Sequence, residues 1–482
     1  LFQPCVRYRL VVTCTFKHIH LIKSVIMKRI IIYITNVALL SGIFFGCNNF
    51  LEVDTPKDLM DQEMVFNDDA TAVSAVTNIY SLLRNSGFLA GNNTGIGLLM
   101  GCYTDELQVT APGITDQTWF YQLNVISSNN AVKRLWDTSY QQLYQVNAAI
   151  EGLEKSQVLT KENKEQLLGE CYFVRALLLF YLNRTFGEVP YVVLTDYQIN
   201  KNIARTPQAE IDRLLITDLE NSIALLKDGY PSSLRTRPNR SAANLLLARI
   251  ALYSGDWNKA METSANVLSN TAYSLEDLDK LFYAESRSTV WHLRTLNDAA
   301  STFEVQTYFF ESVPPPNVAL AEGFLDVFSE EDLRKYEWVR EVEGASGNFA
   351  HAYKYKKRSA VQPMEFSIVL RIEEAYLINA EANARIGRFD EAAEALNAVR
   401  NRAGLSNFYA NDTASWVDAV LEERRKEFFT EFGHRFYDLK RTGKLNVLQL
   451  VKPNWTSHFE KLPLPQTELQ LNPNLLPQNA GY

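Results

Sequence analysis

Apolar residues recur at helical spacing along most of this chain, and the pattern predicts a mainly α-helical protein. Between Ala70 and Arg84, Val73, Val76, Ile79, Tyr80 and Leu83 fall on one side of a helix, and Leu135 to Leu153 repeats the pattern. Leu167 to Phe186 differs. There Tyr172, Phe173, Ala176, Leu177, Leu179, Phe180, Leu182 and Phe186 cover nearly every face, which predicts a buried helix. Gly187 ends it and Pro190 blocks its resumption. Cys171 lies inside this run and reads as a small core residue.

Two later segments match each other. Gly255-Asp256-Trp257-Asn258-Lys259-Ala260 and Gly387-Arg388-Phe389-Asp390-Glu391-Ala392 both read G-x-aromatic-x-x-A. Each follows an Ala- and Leu-rich helix, Ala242 to Tyr253 in one case and Ala375 to Arg385 in the other. In a helix–turn–helix repeat the glycine makes the turn, the aromatic opens the second helix, and the alanine lets the two approach. This resembles the tetratricopeptide repeat, with less complete copies over 143–168 and 171–226. A scaffold of helix pairs suits a chain too long for one simple core. Two stretches break the pattern: Gly87 to Asn130, with Tyr103, Trp119, Phe120 and Tyr121, and Thr295 to Pro316, with Tyr308, Phe309 and Phe310. Long polar loops on a helical scaffold are where binding usually lives. Trp136 and Trp291 fall in regular elements and read as packing residues. The last residues, from Lys461 to Tyr482, are rich in Pro and Asn and predict an extended tail without regular helix.

The run from Leu421 to Arg441 is the most informative stretch. Val417, Leu421, Phe428 and Phe432 form an apolar stripe, and Arg424 sits on it. A guanidinium there needs carboxylate partners, and Glu427 and Glu431 are within one or two turns. Gly433 is expected to stop the helix, with Arg435, Asp438 and Arg441 following at three-residue intervals. The arrangement reads as a charge-stapled corner and not a catalytic centre.

At the front, Met27-Lys28-Arg29 precedes an almost wholly apolar run from Ile30 to Phe45, closed by Gly46-Cys47. A basic segment, an apolar segment and a small residue before the cut describe a secretory signal, and the cysteine after Gly46 makes it a lipoprotein signal with Cys47 as the lipidation site. An uncleaved membrane anchor is the competing reading, with an apolar run at the short end of the ~17–25 residues a span needs. Residues 1–26 are expected to lie upstream of the true start. Removing residues 1–46 leaves 42 of the 48 Lys and Arg against 56 Asp and Glu, a net charge of −14 in place of −8. Such a surface repels nucleic acid, and no nucleic-acid partner is expected. Cys102 and Cys171 alone cannot build a disulfide framework.

Enzyme and cofactor signals are weak. The four histidines beyond the signal, His292, His351, His434 and His458, are not spaced as metal ligands, so neither a metal nor a cofactor is expected. Gly95, Gly97 and Gly101 miss the dinucleotide-binding spacing, and neither a Walker motif nor a G-x-S-x-G elbow occurs.

Five separated pieces of sequence resemble one family. Cys47-Asn48-Asn49-Phe50-Leu51-Glu52-Val53 matches a C-x-x-F-L-[DE]-V opening. Glu170 to Ala176 followed by Phe186-Gly187-Glu188-Val189-Pro190 matches E-[AC]-x-F-[LV]-R-A…[LF]-[FY]-G-[DE]-V-P. Ile372 to Ala382 matches the x-[AE]-E-x-x-L-[IL]-x-A-E-A helix, and Glu423 to Arg441 the E-R-R-x-E…R-[FW]-x-D-L-x-R corner. Leu462-Pro463-Leu464-Pro465, with Asn472-Pro473-Asn474 and Gln478-Asn479, matches the ending. Together they resemble the SusD/RagB family of nutrient-binding outer-membrane lipoproteins of Bacteroidetes-type bacteria. The resemblance implies a mainly α fold, a tetratricopeptide-like helix-pair scaffold with loop-rich ligand-binding segments. With residues 1–26 read as upstream sequence and 27–46 as the lipoprotein signal, it divides the rest into an N-terminal SusD-like region (47–235) and a C-terminal SusD/RagB-like region with the repeats (236–482). It implies a non-catalytic protein, lipid-anchored and exposed at the outer-membrane surface, that binds oligosaccharide and delivers it to a TonB-dependent SusC-like transporter. A peptide ligand is the alternative. A glycoside hydrolase is a third reading, and it needs two carboxylates flanking a cleft; Asp105 and Glu106 are adjacent and point apart if extended.

The family's motifs describe the scaffold, so ligand contacts are chosen from chemistry. Sugar rings stack on Trp and Tyr, and their hydroxyls pair with amides and carboxylates. The candidates are Trp119, Tyr121, Tyr103, Asp105, Asn124 and Tyr308, with Gln122 beside them. Phe309 has no polar handle and reads as core.

Overall fold

The computed structural model describes residues 26–30, 62–297, 299–359 and 362–482. Residues 26–30 form a helical turn, and Cys47 lies outside the described residues. Among the described residues no helix is long and apolar enough to cross a membrane.

Residues Gln62–Tyr482 form one compact unit, built from antiparallel helix pairs that the apolar patterning anticipates. Helix α1 (Asp69–Asn85) starts at Asp68, whose carboxylate accepts the N–H groups of Ala70 and Thr71. A helix, α2 (Ile96–Tyr103), and a second, α3 (Asp116–Tyr121), follow. Asn129 caps α4 (Asn130–Lys155) and Thr160 caps α5 (Lys161–Phe186). Helix α5 is buried along its apolar run from Gly169 to Phe186, apart from Tyr172, and packs between α4 and α6 (Gln208–Leu225). The two matching segments then form the predicted repeat. Helix α7 (Arg240–Ser254) turns at Gly255 into α8 (Trp257–Leu268). After the short helix α9 (Phe303–Tyr308), α10 (Ile372–Arg385) turns at Gly387 into α11 (Phe389–Arg402). Both glycines have φ of +80°, the left-handed turn the repeat requires. Helix α8 packs on α10, which joins the two pairs, and α10 also packs on α12 (Thr413–Phe428).

Six short strands form three antiparallel ladders among the described residues. Strand β1 (Leu107–Val109) pairs with β3 (Val318–Leu320), β2 (Thr289–Leu293) with β6 (Ser367–Arg371), and β4 (Val339–Gly344) with β5 (Gly347–Ala352). The apolar interior is one large core plus a smaller cluster around Leu377, Leu396, Trp416 and Phe428 where α10, α11 and α12 meet. Trp136 and Trp291 are buried in the large core, as expected of packing residues.

Three local expectations are corrected. The stretch 87–130 is not a continuous loop: Ile96, Leu98, Leu99 and Met100 bury helix α2 completely, and α3 and β1 follow. The tail contains a short helix, α14 (Gln466–Leu471), opened by Pro465. The corner is charge-stapled, but with other pairings. Helix α12 ends at Phe428, and Gly433 (φ +73°) opens the next helix, α13 (His434–Arg441). Arg424 donates to Asp438 Oδ2 at 2.7 Å. Glu427 instead receives Arg334, Arg371 and Arg402 at 2.6–2.8 Å, and Glu431 receives Lys354 and Arg371. Cations from distant segments outcompete the nearby Arg424, and spacing along one helix cannot reveal them.

Candidate functional site

Helix α3 carries the exposed part of the predicted site. Thr115 and Thr118 cap one another's backbone, which fixes the start of this short helix. Trp119 is half-buried, Tyr121 is 39% exposed, and Gln122 and Asn124 are exposed. The Asn124 N–H donates to the Trp119 carbonyl at 2.9 Å, so the chain folds back and brings Trp119, Tyr121 and Asn124 together. Lys452 supports them. Its Nζ lies 4.1 Å from the centre of the Tyr121 ring and donates to the Tyr121 carbonyl at 2.6 Å and the Cys102 carbonyl at 2.9 Å. Burial lowers this ammonium to about 8.

The other three candidates are withdrawn from any ligand. Tyr103 is fully buried, its ring edge-on to Phe120, Phe436, Trp455 and Phe459, and its hydroxyl donates to the Phe459 carbonyl at 3.2 Å. Asp105 is held by Arg435 at 2.8 and 3.0 Å and by Arg425 at 2.8 Å. Burial raises its pKa, but the two guanidiniums outweigh that and keep the carboxyl below its ordinary value. Tyr308 is buried on α9, with its hydroxyl 3.4 Å from the Thr430 carbonyl it donates to. It lines an interior cavity of about 20 Å³ with Glu304, Lys354 and Glu431. That is room for a water, not a sugar. An aromatic in a polar stretch announces its chemistry, but not the side it faces. Glu106 is buried and accepts the Thr430 N–H at 3.3 Å, and burial raises it to about 7. Asp105 and Glu106 therefore do not flank a cleft.

A larger surface lies along α4. Trp136, Tyr140 and Tyr144 succeed one another at four-residue intervals, with Gln141 and Gln145 interleaved, and line a groove of about 570 Å³. The opposite wall is Leu194, Tyr197, Asn200 and Asn202, and the tail closes it with Glu468, Leu471 and Asn472. Trp136 is buried and packs on Tyr140 at 4.9 Å, whereas Tyr144 is 48% and Tyr197 71% exposed. The Tyr140 hydroxyl donates to the Pro190 carbonyl at 2.9 Å, and Asn200 Nδ2 to the Leu194 carbonyl at 2.7 Å. The Asn200 side-chain oxygen is buried and has no hydrogen-bond partner among the described residues. Reading the sequence for core positions missed this groove, although the aromatic spacing 136, 140, 144 with adjacent glutamines was its signal. It adjoins α3: Asp116 pairs with Arg134 of α4 at 3.2 Å, and the Gln466 N–H donates to the Ser127 carbonyl at 2.9 Å.

Comparison with known proteins decides the family. A model described as starch-binding and associating with the outer membrane matches residues 49–252, and the SusD family model matches residues 345–482. The chain belongs to the SusD/RagB family. Two SusD-like relatives from Formosa agariphila, P25 and P2, are 24% and 26% identical, each over 91% of this chain and 97% of its own length. The solved SusD superfamily protein from Bacteroides vulgatus superposes with a TM-score of 0.76 at 20% identity, covering 86% of this chain and all of that one. A laminarin-binding SusD-like protein gives 0.72 at 20% identity, covering 86% of this chain and 99% of its own. The surface glycan-binding protein A of Bacteroides fluxus gives 0.71 at 20%, covering 86% of this chain and all of that one. These structures share the SusD-like, mainly α fold found here. Among the described residues of this SusD-like chain, no cluster of His, Cys, Asp and Glu is arranged to hold a metal. Cys102 and Cys171 are buried free thiols.

Proposed function

We propose that this protein is a non-catalytic oligosaccharide receptor of the outer membrane, lipid-anchored through Cys47 at the cell surface and delivering its ligand to a SusC-like TonB-dependent transporter. The observation that carries the reading is the ring-and-amide surface running from Trp119, Tyr121 and Asn124 to the groove of Tyr140, Tyr144 and Tyr197. Exposed aromatic faces offer the C–H face of a sugar a stacking partner, while Gln122, Asn124, Gln141, Gln145 and Asn202 offer donors and acceptors to its hydroxyls. The volume of about 570 Å³ suits a ligand of a few sugar rings. Helix α3 and most of the groove fall within the region matched by the starch-binding model, residues 49–252, and two structural neighbours are named for glycan or laminarin binding. These support the assignment.

The test is calorimetric titration of the soluble form beginning after Cys47 with a panel of polysaccharides and peptides, beside the variants Trp119→Ala and Tyr144→Ala. Saturable binding of a glycan class without bond cleavage is expected, weakened about tenfold, ~1.4 kcal/mol, in one or both variants. Binding of peptides alone would replace the reading with a peptide receptor. Glycan binding that neither variant changes would remove this surface from the assignment.

A further inference from the structure

A second cleft, of about 610 Å³, lies between α1, residues 231–237 and residues 294–297. Its character is opposite to that of the acidic chain. Its described lining holds Arg84, Arg237 and several Ser and Thr hydroxyls. Arg237 is matched from behind by the buried Glu170, which it meets at 2.5 and 3.1 Å. Arg84 is not matched. Its Nε donates to Asn85 Oδ1 at 3.0 Å and its Nη1 to the Arg294 and Thr295 carbonyls at 3.1 and 3.2 Å. These acceptors are neutral, and among the described residues Arg84 meets no carboxylate and its Nη2 has no partner.

The rest of the molecule shows how unusual this is. Eight arginines are buried among the described residues, Arg84 at 9% exposure being one. The other seven each meet a carboxylate: Arg175 with Asp218, Arg184 with Asp212, Arg249 with Glu374, Arg334 and Arg371 with Glu427, Arg424 with Asp438, and Arg435 with Asp105. A desolvated guanidinium without an anion is costly, and here it faces an open cleft. Burial lowers the Arg84 pKa.

We propose that this cleft binds the anionic group of an acidic oligosaccharide, a carboxylate or a sulfate ester, with Arg84 Nη2 as the charged donor and the hydroxyl of Thr236, which lines the same cleft, as a second donor. The proposal rests on the receptor reading above and narrows its ligand class. The Nη2 N–H groups can donate to either oxyanion, and the low exposure of Arg84 makes the interaction sensitive to loss of the ligand's charge.

The experiment titrates the soluble protein with a uronic-acid oligosaccharide and its methyl ester, with a sulfated oligosaccharide and its desulfated form, and with inorganic sulfate. One of the charged sugars is expected to bind at least tenfold more tightly than its neutralised form. That advantage should shrink with added salt and disappear in Arg84→Gln. Thr236→Val, which leaves the loop tether of Arg84 in place, should reduce it severalfold. Equal affinity of charged and neutral forms for the wild-type protein overturns the proposal even if Arg84→Gln fails to fold. Charged-glycan binding lost in Trp119→Ala but unchanged in Arg84→Gln would keep the receptor reading and sink the anion site. Binding of sulfate alone, abolished by Arg84→Gln, would keep the anion site and sink the receptor reading.

Discussion

Glu304 sits 8% exposed at the small interior cavity, both oxygens accepting from Ser367 Oγ at 2.7 Å. Lys354 lines the same cavity, but its ammonium is committed to Glu431 at 2.6 Å. Burial therefore dominates at Glu304 and raises its pKa from 4.5 to about 7. The folded protein then keeps a proton that the unfolded chain gives up. The native state is favoured by this group below about pH 4.5, and that advantage is lost as pH rises through about 7. Glu304→Gln removes the titration and keeps an acceptor for Ser367. Urea denaturation should find the variant more stable than wild type at pH 8, by on the order of 1–3 kcal/mol, with the gain absent near pH 4.5. An unchanged difference between the two pH values would show that Glu304 is ionised in the fold. The same scale explains what sequence could and could not say of the site. Ring and amide chemistry is offered by Trp119, Tyr121 and Asn124, which the fold leaves half-buried or exposed. Tyr103, Asp105 and Tyr308 have ring and carboxylate chemistry, but the groups that claim them, Phe459, Arg435 and Thr430, are more than a hundred residues away in the chain.

Helices read well from the sequence where one periodic face meets one core. Both repeat turns fell where G-x-aromatic-x-x-A placed them, because a left-handed glycine followed by an aromatic is a local instruction. A built Cβ at Gly387 meets nothing within 4 Å, so Gly387→Ala should cost only the left-handed backbone penalty, about 1–2 kcal/mol, measured as a fall in the urea midpoint at unchanged slope. A loss well above ~3 kcal/mol would mean that the turn also carries packing between the helix pairs. One element and one surface escaped the sequence reading, for different reasons. Helix α2 is short and apolar on every side, so it has no periodic face to betray it, and its glycines read as loop. Helix α4 has two different faces, and the exposed one, with Tyr144 and Gln145, was read together with its core stripe.

At the scale of the whole molecule the C-terminal tail ties the scaffold to the groove. The Leu462 N–H donates to the Thr185 carbonyl at 2.9 Å, and Gln478 bonds both ways with the Leu464 backbone at 2.8 Å. Asn479 is the knot. Its Nδ2 donates to the Phe186 carbonyl at 2.7 Å and the Leu462 carbonyl at 2.8 Å, while its Oδ1 accepts from Arg205 Nη2 at 2.9 Å. A single buried amide thus joins the end of α5, the start of the tail and the segment before α6. Asn479→Ala leaves those carbonyls unpaired and should cost about 1–3 kcal/mol. It should also raise hydrogen exchange through residues 462–479 before it affects the helix pairs. Because Glu468, Leu471 and Asn472 form one wall of the groove, a loosened tail should weaken glycan affinity from a distance while leaving Arg84-dependent binding of inorganic sulfate intact. If exchange in the tail rises and glycan affinity does not change, the tail wall is no part of the binding surface, and the α3 cluster with the exposed face of α4 must hold the ligand alone.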